Sequence, residues 1–207
     1  MLVFWQTYLS FSLLLFLLLG GIAGARTGIW LKALLCLGLG FLPVNGLPLA
    51  VYLRSFTDDL AISSLLLMAW YAASRAGLPV AVKGQITPVL AMFAVLALLL
   101  YPATLGLSYI DPYRYGYSPR PMLLAGLLAA LWFLYGRNVL GVLVLALPTI
   151  AFSAGLKASG NYWDYLIDPL LAICSVTVVS VGLSKRLYRL IRRLPANQAQ
   201  ALPETPQ

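Results

Sequence analysis

Three short segments of the chain concentrate the side chains that could do chemistry. They cover residues 54–59, 109–120 and 161–168, and apolar stretches separate them. Together they hold five aspartates, three arginines, six tyrosines and one tryptophan. Aromatic rings and carboxylates suit sugar rings and their hydroxyls, whereas arginines bind phosphate through paired hydrogen bonds. This combination favours a site for a phosphorylated or lipid-linked sugar, or for a lipid headgroup.

A structural explanation competes with this hypothesis for each residue taken alone. Tyrosine and tryptophan favour the interface between membrane and water. Asp168 precedes Pro169 and can cap a helix, so neutralising it is expected to cost only about 1 kcal/mol. Asp111 and Asp164 are not needed as caps of any predicted membrane span, which favours a ligand role. The candidate ligand-binding residues are Asp58, Asp59, Asp111, Tyr113, Arg114, Tyr115, Tyr117, Arg120, Trp163 and Asp164.

Several kinds of catalytic site are excluded by composition, because the chain has no histidine. Ser-His-Asp triads, histidine metal sites and histidine general bases all require that residue. Cys36 and Cys174 lie far apart and form no metal-binding motif. No catalytic residue, metal site or cofactor is therefore predicted. A divalent cation at the outer aspartates stays an open alternative that no motif supports.

The elements that must position these segments are apolar. Of the 207 residues, 61% are hydrophobic and 10% are charged, against about 45–50% and 25% in soluble domains. So much apolar surface requires a lipid solvent, in which helices satisfy their own backbone. The sequence predicts an all-α polytopic integral membrane bundle of about seven helices, with six to eight allowed. The predicted spans are 3–23, 30–53, 58–74, 87–107, 121–136, 139–156 and 168–184.

Local signals refine these spans. Two prolines and a glycine within 43–48 should kink or unwind the second span. Asp58 and Asp59 suit the first turn of the third span, and Asn138 can cap the sixth. The first span is expected to stay attached rather than to be cleaved as a signal peptide. Residues 1–194 are predicted to form one transmembrane domain, and 195–207 a disordered cytoplasmic tail.

The basic residues predict the orientation, because cytoplasmic loops are enriched in lysine and arginine. The cluster that follows the last span is the strongest signal and should anchor the C-terminus inside. It consists of Lys185, Arg186, Arg189, Arg192 and Arg193. Seven spans then place the N-terminus outside, with ten of the 14 basic residues inside. Membrane anchoring also explains the net charge of +8, so nucleic acid is not a predicted partner.

The same topology places all five aspartates outside, together with the tyrosine-rich segment. We therefore expect a small multi-pass protein of the bacterial inner membrane that acts as a subunit or accessory factor in cell-envelope lipid or glycan assembly. Its expected partners are the bilayer, a lipid or glycolipid headgroup, and another membrane protein of envelope biogenesis. The alternatives are a small transporter or flippase, and a membrane-embedded transferase that acts on a lipid-linked phosphate or sugar.

Overall fold

The computed structural model describes residues 5–19, 28–80 and 84–199, and helices dominate this part of the chain. The α-helices are α1 (Trp5–Leu18), α2 (Ile29–Gly40), α3 (Leu49–Thr57), α4 (Ile62–Arg75), α5 (Ile86–Thr104), α6 (Arg120–Tyr135), α7 (Val139–Ser153), α8 (Trp163–Leu166) and α9 (Pro169–Ala199). A 3-10 helix covers Pro112–Tyr117, and two short strands, β1 (Pro43–Val44) and β2 (Leu47–Pro48), form a hairpin. The all-α prediction is confirmed. Arg26, Lys83 and Glu204 lie outside the described residues.

Two of the described helices are long and apolar enough to cross a membrane. They are α5 and the Pro169–Arg192 part of α9. Only 28% of the apolar window in α5 and 17% of that in α9 is buried, whereas the core helix of a soluble protein would be mostly covered. Helices α1, α2, α6 and α7 are apolar but shorter. This pattern supports association with a membrane.

The predicted second span is interrupted where its prolines cluster. Helix α2 ends at Gly40, and the chain then forms the β1–β2 hairpin before α3 begins at Leu49. Asn45 and Gly46 occupy the turn, with φ angles of 47° and 83°. Asn-Gly favours this left-handed geometry in tight hairpins. The break was predicted, but the hairpin was not, because the segment was treated only as a disturbed helix.

The helix expected from the predicted third span begins later than predicted. Asp58 ends α3 with a φ of 55°, and α4 begins only at Ile62. The prediction that Asp58 and Asp59 lie in the first turn of a helix is therefore wrong. A backbone in the left-handed region cannot continue a right-handed helix. Both aspartates belong instead to the linker between α3 and α4.

The main core joins α4, α5, α6, α7, α8 and α9. Phe93, Phe133, Leu140 and Val144 are almost fully buried in it, together with Trp163. A smaller cluster centred on Phe16, Cys36 and Ala72 joins α1, α2 and α4. The large core therefore directly supports the chain segment before α9, which contains the candidate ligand residues Trp163 and Asp164.

Helix α9 leaves this core before it ends. Residues 181–192 are all exposed, including Lys185, Arg186, Arg189 and Arg192 of the predicted anchor. The helix continues through residues 195–199, the first part of the segment predicted as a disordered tail. Residues 200–207 lie outside the described part of the chain, as does the side chain of Arg193.

Candidate functional site

Two of the three polar segments are hydrogen-bonded directly to each other. The Trp163 indole Nε1 donates to the Pro112 carbonyl at 2.9 Å, and the Asn161 amide Nδ2 donates to the Tyr113 carbonyl at 3.1 Å. The Tyr162 backbone N–H donates to the Gly116 carbonyl at 3.0 Å. The loop before α6 and the loop before α9 therefore lie at the same end of the bundle.

The third segment joins them around a cleft of about 660 Å³. The cleft is lined by the end of α3 with the linker that follows it, by α5, and by the segment from Lys157 to Pro169. The predicted residues that line the cleft are Asp58, Asp59, Tyr113, Trp163 and Asp164. The cleft also includes Arg54, Tyr101, Lys157, Ser159 and Asp168, which were not among the candidates.

The other five predicted ligand residues do not line this cleft. Asp111 caps the 3-10 helix, where its carboxylate accepts the Tyr113 backbone N–H at 3.0 Å. It therefore has a local structural role, in keeping with the tendency of Asp-Pro to open turns, whereas the sequence analysis favoured a ligand role because it predicted no 3-10 helix in this loop. Arg114, Tyr115, Tyr117 and Arg120 are exposed on the outer side of the loop and at the start of α6.

Asp164 is held by two hydroxyl groups. The Tyr113 hydroxyl donates to its Oδ1 at 3.0 Å and contacts its Oδ2 at 3.2 Å. The Ser159 hydroxyl also donates to Oδ2. Burial, and then the nearby Asp164 charge, raise the pKa of the Tyr113 hydroxyl above its usual range. The tyrosine therefore stays protonated at neutral pH and orients the carboxylate.

Replacing Tyr113 by phenylalanine is expected to lower the free energy of unfolding by about 1.5 kcal/mol at neutral pH, since hydrogen bonds to a charged acceptor are lost. A pKa that is raised in the folded state gives stability below the unfolded pKa of about 10, and that stability is lost at higher pH. The difference between wild type and Tyr113→Phe should therefore shrink above about pH 10. Reversible denaturation in mixed micelles measures it, and a difference that grows with pH contradicts this origin.

Lys157 links the segment before α9 to the linker between α3 and α4. Its ammonium Nζ donates to the carbonyls of Asp59 at 2.8 Å, Leu60 at 3.2 Å and Asp164 at 2.7 Å. Burial lowers its pKa, although the neighbouring carboxylates, Asp164 foremost, oppose that shift. Sequence reasoning missed this residue. The available signal was that Lys157 is the only lysine on the predicted outer face. A lysine there does not contribute to the enrichment of basic residues on the cytoplasmic side that sets the topology.

Asp59 lines the cleft, and one of its carboxylate oxygens has no hydrogen-bond partner. Its Oδ2 pairs with the Arg54 guanidinium at 2.8 Å, whereas its Oδ1 is buried without a hydrogen-bond partner. A buried carboxylate oxygen without a donor costs free energy. A ligand hydroxyl or ammonium group in the cleft would satisfy it. Asp58 beside it is exposed and adds a second negative charge.

Asp168 forms part of the cleft wall and links two helix starts. Its Oδ1 accepts the Leu171 backbone N–H at 2.7 Å, which confirms the predicted cap of α9. Its Oδ2 accepts the Ala61 backbone N–H at 2.8 Å, just before α4. Both oxygens are thus used, and the residue is only 6% exposed. Its role in the cleft is structural.

The charges in the cleft favour ligands that donate hydrogen bonds. Four aspartates, Asp58, Asp59, Asp164 and Asp168, face only two basic side chains, Arg54 and Lys157. Phosphate is therefore poorly matched, while hydroxyl-rich or amine-bearing groups are well matched.

Across the described part of the chain, no three acidic or cysteine side chains are grouped closely enough to hold a metal ion. Comparison with protein-family models, curated proteins and solved structures finds no match to this chain.

Proposed function

We propose that the chain is a seven-span protein of the bacterial inner membrane, with its N-terminus outside and its C-terminus in the cytoplasm. The spans are α1, α2 with α3, α4, α5, α6, α7 and α9. Helices α2 and α3 have 12 and 9 residues, so together they reach about 32 Å, close to the hydrocarbon thickness. The exposed leucines of α6 and the exposed apolar residues of α9 that precede its basic cluster, such as Ile173 and Val178, would face lipid.

Contacts between loops at both ends of the bundle support this arrangement. The cleft joins the segments after α3, α5 and α7. At the other end, the Asn138 amide Nδ2 donates to the Gln85 carbonyl at 2.9 Å, which links the loops that follow α4 and α6. The predicted cap by Asn138 is also present, with the Gly141 N–H at 2.8 Å. The exposed basic residues in the second half of α9 would anchor the cytoplasmic end and contact anionic headgroups.

Cysteine labelling tests the topology. Tyr109→Cys and Gly160→Cys, each in a Cys36→Ala and Cys174→Ala background, should react with a membrane-impermeant maleimide on intact spheroplasts. Ser184→Cys should react only after lysis, because α9 carries it towards the cytoplasm. The background without cysteine is the control. Labelling of residues 109 and 160 from opposite sides would end the proposal.

We further propose that the outer cleft binds the sugar headgroup of a lipid-linked sugar or glycolipid, and that the protein serves as a subunit or accessory factor in envelope lipid or glycan assembly. The observation that carries this proposal is the unpaired Oδ1 of Asp59, a residue that lines a cleft rich in carboxylates. Sugar hydroxyls are donors of the kind this oxygen lacks. The exposed Phe56 at the cleft edge adds an apolar face of the kind that sugar rings contact.

The alternative functions receive less support from the geometry. A transporter needs a binding site near the middle of the membrane, but this cleft lies at the helix ends. A transferase needs carboxylates that are free to exchange protons or bind a metal. Asp164 and Asp168 are instead engaged by donors of the protein itself, which leaves only Asp58 and the Oδ1 of Asp59 for such chemistry among the cleft aspartates.

A photoreactive sugar lipid tests the cleft. The probe is an alkyl glucoside with a diazirine on its sugar, added to the protein in phosphatidylcholine nanodiscs. It should label peptides from residues 54–59 and 157–168. Asp59→Asn should reduce this labelling about tenfold, because it weakens a hydrogen bond to a charged acceptor.

The matched control is Asp111→Asn. It removes one negative charge by the same substitution at a residue outside the cleft, so it should leave labelling unchanged. A probe whose sugar carries a phosphate should label more weakly than the neutral glucoside. Equal labelling of the Asp59→Asn and Asp111→Asn variants contradicts the proposed site.

A further inference from the structure

A second hollow lies beside the cleft, between α5, α6, α7 and α8. This groove measures about 200 Å³. One wall is made of the small residues Ala125, Gly126 and Ala129 of α6, and the opposite wall contains Met92 and Leu96 of α5. Unbranched methionine side chains adapt to occupants of irregular shape. The groove is therefore a space that apolar side chains surround but do not fill.

The groove offers nothing to a polar ligand. Its polar side-chain atoms belong to Tyr162 and Trp163, and both are already hydrogen-bonded to the protein. The Tyr162 hydroxyl pairs with the Thr149 hydroxyl at 2.8 Å, and the Trp163 indole donates to the Pro112 carbonyl. A polar occupant would lose its own hydrogen bonds to water without replacing them. The chemistry of the walls thus selects a hydrocarbon chain.

The groove and the polar cleft meet at one residue. Trp163 lines both of them, and it begins α8, a single helical turn from Trp163 to Leu166. Leu166 continues the groove wall, whereas Asp164 faces the cleft. One molecule lying across Trp163 could place a polar group among the carboxylates and an apolar chain along α6.

We infer that the groove binds the hydrocarbon chain of the same molecule whose headgroup occupies the cleft. The ligand class is then a lipid-linked sugar held at both its head and the first part of its chain. This inference rests on the proposed function of the cleft. The groove extends recognition from the sugar headgroup to the hydrocarbon chain of the ligand. A free sugar without that hydrocarbon chain would therefore bind weakly. Because this hydrocarbon chain leaves lipid and not water, its contribution to binding comes from packing against the groove walls.

The test uses a second alkyl glucoside with the diazirine in its chain, and a phosphatidylcholine carrying the same modified chain. The glucoside should label peptides from residues 92–96 and 122–129 in nanodiscs. Ala125→Leu should reduce that labelling at least fivefold, because the new side chain fills the groove. Ala125 is exposed, so the larger side chain can be accommodated without repacking the core. Ala129→Leu, one helical turn further on, provides a second variant.

The control for added bulk is Ala69→Leu, at an exposed position of α4 outside the groove, which should change nothing. Asp59→Asn should reduce groove labelling by the glucoside about tenfold and leave labelling by phosphatidylcholine unchanged. If the glucoside and the phosphatidylcholine label the groove equally, and Asp59→Asn changes neither labelling, then bulk lipid fills the groove. That result overturns the inference. Cleft labelling by the sugar probe without groove labelling by the chain probe also overturns it, while leaving the proposed function intact. If the sugar probe fails to label the cleft, the proposed function fails as well.

Discussion

Replacing Asp168 by alanine is expected to lower the free energy of unfolding by about 3 kcal/mol. The substitution would leave the backbone N–H groups of Ala61 and Leu171 without an acceptor, and each unsatisfied buried donor costs about 1–3 kcal/mol. This is several times the cost of about 1 kcal/mol expected for a single helix cap. Denaturation of the purified protein in mixed micelles measures the difference.

Two further variants isolate the cause. Asp111→Ala removes an aspartate cap that serves one exposed N–H of the 3-10 helix, so it should cost about 0.5–1 kcal/mol. Asp168→Asn should give an intermediate loss, because its amide oxygen can accept from only one of the two sites. If Asp168→Ala costs no more than Asp111→Ala, the link between α4 and α9 contributes little to stability.

Replacing Gly116 by alanine is expected to separate the loop before α6 from the loop before α9. A Cβ at this position would overlap the Asn161 amide and lie 2.8 Å from the Trp163 ring. Asn161 cannot easily retreat, because it is fully buried and its side chain bonds both Tyr113 and Trp163. Overpacking of this kind costs about 1–3 kcal/mol, and we expect a loss at the upper end of that range. The sugar probe should also lose its labelling of the cleft.

Limited trypsin digestion provides a direct measurement, since the exposed Arg114 lies within this loop. Cleavage at Arg114 should become much faster in Gly116→Ala than in wild type. The matched control is Gly160→Ala in the facing loop, where an added Cβ has no neighbour within 4 Å. Equal cleavage rates and equal stability in the two alanine variants would contradict the close docking of the loops.

Some features of the site follow from nearby residues and could be predicted from sequence. Asn138 and Asp168 each precede an apolar helix, and each caps it as expected. The prolines of 43–48 interrupt a helix as expected, because proline removes a backbone donor wherever it stands. The sequence also predicted that four cleft residues lie at the same end of the bundle, because successive spans alternate in direction across the membrane. These residues are Asp58, Asp59, Tyr113 and Trp163.

Other features depend on contacts between residues far apart in the chain. Lys157 had no local pattern to mark it, and its role appears only when the carbonyls of Asp59, Leu60 and Asp164 surround it. Asp111 was expected to be available for a ligand, but a 3-10 helix uses its carboxylate. Nothing in the sequence distinguishes Gly116 from the other glycines among the 17. Its importance comes from the close packing of Asn161 against it in the folded structure.

The sequence by itself determined that the chain is helical and strongly apolar, since composition and local helix signals act over a few residues. It also indicated which aspartates and tyrosines share one face. Only the tertiary structure decided which carboxylates are already satisfied and which oxygen is left open. Asp168 bonds a second helix start across 107 residues, while Asp59 keeps a buried oxygen without a donor. The physical reason is that burial and hydrogen-bond satisfaction depend on what packs nearby, and residue type and spacing do not specify that.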